Sequence, residues 1–342
     1  MFLKNSKNIV IKIGSSLLVD KKQKIRKNWL LSFAKDIKKL MSKDKKVTIV
    51  SSGAIALGCK KMNYKKTNLK LDKSQAVASI GQIELMNLYS QAFSKCKINI
   101  SQILLTLDDT EERRRSINAK RTFENLFQLN YLPIVNENDT IATSEIKYGD
   151  NDRLASRVAQ ITDADTLILL SDVDGLYTKN PKIHKDAKLI KKVFDINKEL
   201  QNISIKGTTE YGSGGMDTKI EAAKISNLAG CNMIIANGLY TNPITQIDKK
   251  NNSGGGCILR LFATTALTPL PIPSHISSEI CGKSPFSRTG LASEYVKIAA
   301  DLPLVISLST GNRSGLSLSI IILVLSEKRY SACSYLYGTI FA

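Results

Sequence analysis

Two short clusters of acidic and amide side chains flank one small loop in a chain that is otherwise strongly basic. Asn136, Glu137, Asn138 and Asp139 form the first, and Asp150, Asn151 and Asp152 form the second. Asn and Asp bond their own backbone and tolerate unusual dihedrals, so a pair of turns is one account. Carboxylate, carbonyl and amide groups gathered in one place are also hydrogen-bonding groups that a site can use. Two lysines supply a second kind of chemistry. Lys12 lies between Ile11 and Ile13, two residues before Gly14. A lysine at the mouth of a glycine turn can hold a phosphate whose other oxygens accept from backbone N–H groups; a strand lysine pointing to solvent is the plainer account. Lys219 follows the loop GSGGMDT (212–218) and opens an alanine-rich helical stretch. The glycines permit close backbone approach to a ligand. A cation in a first helical turn opposes the helix dipole, which calls for an anionic partner. The loop lacks the G-x-x-x-x-G-K-[ST] spacing and is therefore no P-loop.

These residues need a scaffold that brings distant segments together. Apolar runs at 8–14, 46–53, 98–106, 131–136, 165–172 and 231–237 alternate with helical patterns near 27–43, 54–62, 73–95, 113–129, 151–161 and 217–229. Strands rich in Val, Ile and Leu that alternate with helices predict a mainly parallel sheet covered on both faces, a three-layer α/β/α sandwich. In such sheets ligands bind at the carboxyl ends of the strands. The polar, glycine-bearing clusters KIGSS (12–16), SSGAIA (51–56), NEND (136–139) and SDVDGLY (171–177) fall at those ends. Plain turns account for glycine there, but not for serine-glycine steps that run repeatedly into helices. Helix N-termini attract phosphate and carboxylate groups, and this moves the balance from turns to a recognition site.

Composition narrows the function classes. With 43% hydrophobic and 23% charged residues, the chain has the make-up of a globular protein. A formal charge of +19 raises nucleic acid first. Most of it is lysine spread along helical stretches, such as Lys35, Lys38, Lys39 and Lys43, with no aromatic stacking platform interleaved. No nucleic-acid partner is expected, although the charge can draw in anionic substrates. The apolar stretch before Gly14 is too short for a signal-peptide core. The longest apolar run, 316–325, has half the length that a spanning helix needs, about 20 residues. A cytoplasmic protein without membrane contact is expected. Six scattered cysteines without a CxxC pair, and two histidines, speak against a disulfide framework or a zinc site. The composition changes at Ser253: the first 252 residues carry +16 of the charge, whereas 253–342 hold five of the eight prolines and a single asparagine. The sequence therefore divides into a catalytic-looking domain, 1–252, and an atypical tail, 253–342.

Five ordered motifs, VIKIGSSLL, TIVSSGAIALG, VNENDTIATSEIKYGDNDRLA, LLSDVDGLYTKNP and GSGGMDTKIEAA, together resemble the amino-acid kinase family from Ile9 to about Ile247. The first and last are shared across that family, and the NEND and GDND pair points within it to the glutamate 5-kinase (γ-glutamyl kinase) branch. The resemblance implies ATP-dependent phosphorylation of the γ-carboxylate of L-glutamate to L-glutamyl 5-phosphate, the first step of proline biosynthesis, with Mg²⁺. It implies catalytic roles for Lys12 and Lys219, with Asp152 organising both lysines and helping to place Mg²⁺. ATP contacts fall on Lys12, Gly14, Ser171, Asp172, Ser213, Gly214, Gly215, Met216, Asp217, Thr218 and Lys219. Asp139 matches the carboxylate for the substrate's amino group, and Ser52, Gly53 and Asn151 complete the substrate side. A homo-oligomer inhibited by proline is implied as well. Branch members often add a small β-barrel of the PUA type; the tail shows none of its hairpin spacing or charge, which suggests an out-of-frame read or a disordered extension. Two other readings stay open: another family member such as a uridylate kinase, which needs Lys12 and the glycine loops but not NEND and GDND, and a non-catalytic RNA-binding or regulatory protein on the same scaffold.

Overall fold

A computed structural model describes residues 2–20, 24–64, 69–142, 150–178, 184–190, 193 and 217–252, with short strand segments at 296–297, 304–306 and 323–324. Six strands form the central sheet: β1 (Asn8–Ile13), β2 (Lys46–Ser51), β3 (Asn99–Leu105), β4 (Tyr131–Glu137), β5 (Thr166–Ser171) and β8 (Asn232–Asn237). Their order is β3-β4-β2-β1-β5-β8, and every pairing is parallel. Between them run α1 (Ser15–Leu18), α2 (Lys27–Met41), α3 (Ala54–Lys61), α4 (Leu71–Ser94), α5 (Leu107–Glu111), α6 (Arg113–Gln128), α7 (Asp150–Ile161) and α8 (Asp217–Leu228), and α9 (Pro243–Asn252) follows the last strand. A two-stranded ribbon pairs β6 (Leu176–Tyr177) with β7 (Leu189–Ile190).

The alternation of side chains along β1 sets the layers. Ile9, Ile11 and Ile13 join Trp29 and Phe33 of α2 and Leu85, Tyr89 and Phe93 of α4 in one core. Val10 points the other way, into a second core with Leu154 and Val158 of α7 and Ala222 of α8. The period of two along a strand then places Lys12 on the α7–α8 face. The sheet is covered on both sides, the expected α/β/α sandwich. Strand order turns at β1, with β2 on one side and β5 on the other, and this switch point is where an open parallel sheet forms its crevice.

Two glycines let α3 and α4 approach to backbone contact. A Cβ on Gly58 would lie 2.0 Å from the Val77 carbonyl oxygen, and one on Gly81 would lie 1.8 Å from that of Ala54. Only glycine fits either place. On the same face of the sheet, Asp36 of α2 is buried and caps α9 from afar, accepting from Ile244 N–H at 3.0 Å and Thr245 N–H at 3.1 Å. Trp29 Nε1–H donates to the Gly238 carbonyl.

The expected strands and long helices are found with ends shifted by a few residues. Helices α1, α5 and α9 and the β6–β7 ribbon are additional. The chain divides into two compact units, Met1–Thr268 and Pro269–Ala342. In the second, Val296–Lys297, Leu304–Ile306 and Leu323–Val324 form a small antiparallel sheet with the middle segment at its centre. The composition break at Ser253 lies outside the described residues.

Candidate active site

At the carboxyl end of β1, Lys12 leaves the strand toward the first turn of α7. Its Nζ lies 2.5 Å from Asp152 Oδ1, and Lys219 Nζ, from the first turn of α8, lies 2.9 Å from Asp152 Oδ2. Asp152 is 1% exposed and each lysine 8%. A carboxylate in the first turn of α7 suits the helix dipole, whereas Lys219 in the corresponding turn of α8 opposes it. The lysine is held there by the carboxylate of the neighbouring helix. Burial alone would raise the Asp152 carboxyl, but the two ammonium groups outweigh it and hold the group below the usual carboxylate range. Thr218 Oγ1 stands 3.4 Å from the same Oδ2. The three charged groups together carry one net positive charge in a buried place, an arrangement suited to an anion with several oxygens.

The glycine turn beside Lys12 rests on β5. Gly14 N–H donates to the Leu170 carbonyl, and Gly238 N–H donates to that of Ser171. Ser171 and Asp172 therefore sit at the next strand end, with Ser171 Oγ 3.4 Å from Asp172 Oδ1. Asp217 begins α8. Ser213, Gly214, Gly215 and Met216 lie outside the described residues.

The acidic half forms on the other side of β1. Gly53 adopts φ +119°, in the region that favours glycine, and starts α3 directly after Ser52. Asn151 Nδ2 donates to Ser52 Oγ at 2.9 Å, tying the turn after β2 to the start of α7. Asn151 Oδ1 is buried and has no hydrogen-bond partner among the described residues. Asp139 follows β4, and burial alone pushes its carboxyl up to about 6. A desolvated carboxylate and a buried amide oxygen without a partner are both acceptors, suited to a cationic group.

A polar stripe on α4 also borders this half, and nothing in its residue types marks it in the sequence. Gln75, Gln82 and Tyr89 recur every seventh residue. Gln75 Nε2 donates to the Ala142 carbonyl at 2.9 Å, Gln82 Oε1 accepts from Asn136 Nδ2 at 2.6 Å, and Tyr89 Oη lies 2.9 Å from Ser51 Oγ. The segment that carries Asp139 is thus held on both sides by one helix. The seven-residue recurrence was visible in the sequence, but glutamine and tyrosine on a helix have no distinguishing chemistry until their partners are known.

The sequence pattern of the amino acid kinase family matches residues 7–237. The glutamate 5-kinase of Pelagibacter ubique (strain HTCC1062) is 70% identical over 251 residues, covering 73% of this chain and 68% of that protein. The glutamate 5-kinase of Agrobacterium fabrum (strain C58 / ATCC 33970) is 51% identical over 240 residues, covering 70% of this chain and 62% of that protein. This chain accordingly spans about two thirds of the length of these relatives. Among solved structures, a carbamate kinase from Giardia shares the fold with a TM-score of 0.53 at 18% identity, covering 76% of this chain and 99% of that one.

Proposed function

The chain belongs to the amino acid kinase family, and we propose that it transfers the γ-phosphoryl group of ATP to the γ-carboxylate of L-glutamate. The observation that carries this reading is the buried Lys12–Asp152–Lys219 arrangement at the switch point of the sheet, with Asn151 next to Asp152 tied to the Ser52 turn. One side suits phosphate oxygens and the other an ammonium group. Relatives named glutamate 5-kinase support the choice of substrate.

A carboxylate is already ionised at neutral pH, so the chain need not supply a general base. Its task is positioning and charge neutralisation, as in phosphoryl transfer generally. Lys12 holds phosphate oxygens from the β1 side, and Lys219 stabilises the transferring group and the leaving ADP from the α8 side. Asp152 holds both ammonium groups in place. Gly14, Ser171 and Asp172, with the 213–219 segment, frame the nucleotide. Asp139 and Asn151 hold the substrate's ammonium group, and Ser52 with Gly53 supplies donors across from them. Both Asp152 oxygens are engaged by lysines, so Mg²⁺ would be held chiefly by the ATP phosphates rather than by Asp152, and would supply further charge neutralisation there. The product is an acyl phosphate, the first intermediate of proline biosynthesis, and feedback by proline, a homo-oligomeric assembly and a cytoplasmic location go with this reading. No described helix is long and apolar enough to cross a membrane.

The test is direct. Incubated with ATP, Mg²⁺ and L-glutamate, the protein should form γ-glutamyl phosphate, trapped by hydroxylamine as the hydroxamate. Phosphorylation of UMP without glutamate, and no hydroxamate, would overturn the assignment.

A further inference from the structure

We propose that Gln82 determines specificity in this site: its side-chain amide donates to the carboxylate on the α-carbon of the amino-acid substrate, an inference that rests on the glutamate reading above. Gln82 lies between the two turns of the acidic half. The preceding residue, Gly81, is in backbone contact with Ala54, the residue directly after the Ser52–Gly53 turn. On the other side, Gln82 Oε1 accepts from Asn136, three residues before Asp139. Its Nε2 is buried and has no hydrogen-bond partner among the described residues. Buried amide donors are rarely left so, and one beside a ligand site calls for a ligand acceptor.

Donors and acceptors on this half are unequal. The Asp139 carboxylate and the unpartnered Asn151 Oδ1 both accept. Asn151 Nδ2 is engaged by Ser52 Oγ. These acceptors suit an ammonium group, but an α-amino acid brings a carboxylate on the same carbon. That carboxylate needs a donor, and Gln82 Nε2, on a side chain bonded to the strand that leads to Asp139, is a donor without a partner among the described residues. A site built to hydrogen-bond a substrate group rejects analogues without it, because its own polar groups are then left unpaired.

Gln82→Glu tests the assignment, because it keeps an oxygen to accept from Asn136 and turns the donor arm into an acceptor. Wild type and variant are compared by the KM for glutamate, the KM for ATP, and inhibition constants for glutarate and 4-aminobutyrate. Glutarate lacks the ammonium group, and 4-aminobutyrate lacks the α-carboxylate. The glutamate KM and the glutarate constant should rise roughly 10–100-fold, the range for losing a hydrogen bond to a charged group. The values for 4-aminobutyrate and ATP should stay unchanged. Equal weakening of all three amino-acid-site ligands would mark Gln82 as a structural prop and overturn the proposal, as would no change in any of them. If Gln82→Glu lacks a cooperative melt, Gln82→Met is measured in the same way with the same pattern expected. A wild-type protein that forms no hydroxamate from glutamate would overturn the underlying reading as well, before any variant is compared.

Discussion

Asp139 and Asp152 are two carboxylates whose surroundings push them in opposite directions, and each direction makes a prediction. Asp152 stays charged because two lysines outweigh the cost of its burial. Lys219→Ala removes one of those lysines and, on the proposed mechanism, a stabiliser of charge moving onto ADP. The kcat should fall roughly 10²–10³-fold, the scale for one preorganised charge stabiliser. Asp139→Ala should instead raise the glutamate KM and largely preserve kcat, the mark of lost ground-state binding. Steady-state kinetics on both variants would show whether they differ in kind; an unchanged glutamate KM in Asp139→Ala would return the acidic cluster to a turn. Burial pushes the Asp139 carboxyl up to about 6 from 3.8. The folded state then holds this proton more tightly than the unfolded chain. The group favours the fold most below its unfolded value, and that contribution is lost as pH rises through about 6. Binding has the opposite sign, since an ammonium partner needs the charged form. The glutamate KM should therefore rise as pH drops below about 6, approaching tenfold per unit, while the KM for ATP does not follow.

At the scale of elements, α3 and α4 pack as one bracket beside the proposed substrate side. Gly81→Ala would force a Cβ against the Ala54 carbonyl, a backbone atom that cannot swing away. The expected loss is about 1–3 kcal/mol of stability, the usual range for overpacking, together with a glutamate KM that rises more than the KM for ATP. Gly230→Ala is the control: nothing lies near the added Cβ, and only the φ of +72° is strained. It should lower stability by about 1–2 kcal/mol and leave both KM values alone. Thermal melts with kinetics on the two variants separate the effects. The bracket also marks where sequence reading reaches its limit. The strands were legible because Ile9, Ile11 and Ile13 and their counterparts form apolar runs, and Lys12 and Lys219 were legible because a cation at a glycine turn or in a first helical turn is chemically out of place. The stripe Gln75–Gln82–Tyr89 was not, since its meaning lies in Ala142, Asn136 and Ser51 on other elements. Helix α9 was missed for a similar reason. Its sequence PITQIDKKNN is a poor helix advertisement, and its first N–H groups are capped by Asp36, more than 200 residues earlier.

For the molecule as a whole, every proposed site residue precedes Ser253, so a chain ended at Asn252 should keep the glutamate kinase activity with both KM values unchanged. Loss of activity in a truncated protein that still melts cooperatively would give the remaining residues a direct part in the reaction. The same long-range order has a consequence for how the chain is made. Strand β1 lies at the centre of the sheet, and its second neighbour, β5, comes late: Ser6 and Thr166, which meet beside that pairing, are 160 residues apart. At about 5–20 residues per second, synthesis leaves one edge of β1 without its partner for roughly 10–30 seconds. During that interval a strand of NIVIKI presents open backbone groups to anything nearby. Non-local parallel pairings are slow and aggregation-prone for this reason. The nascent chain should therefore depend on holding factors until β5 has emerged, and stalled chains ending before Thr166 should aggregate where longer ones do not.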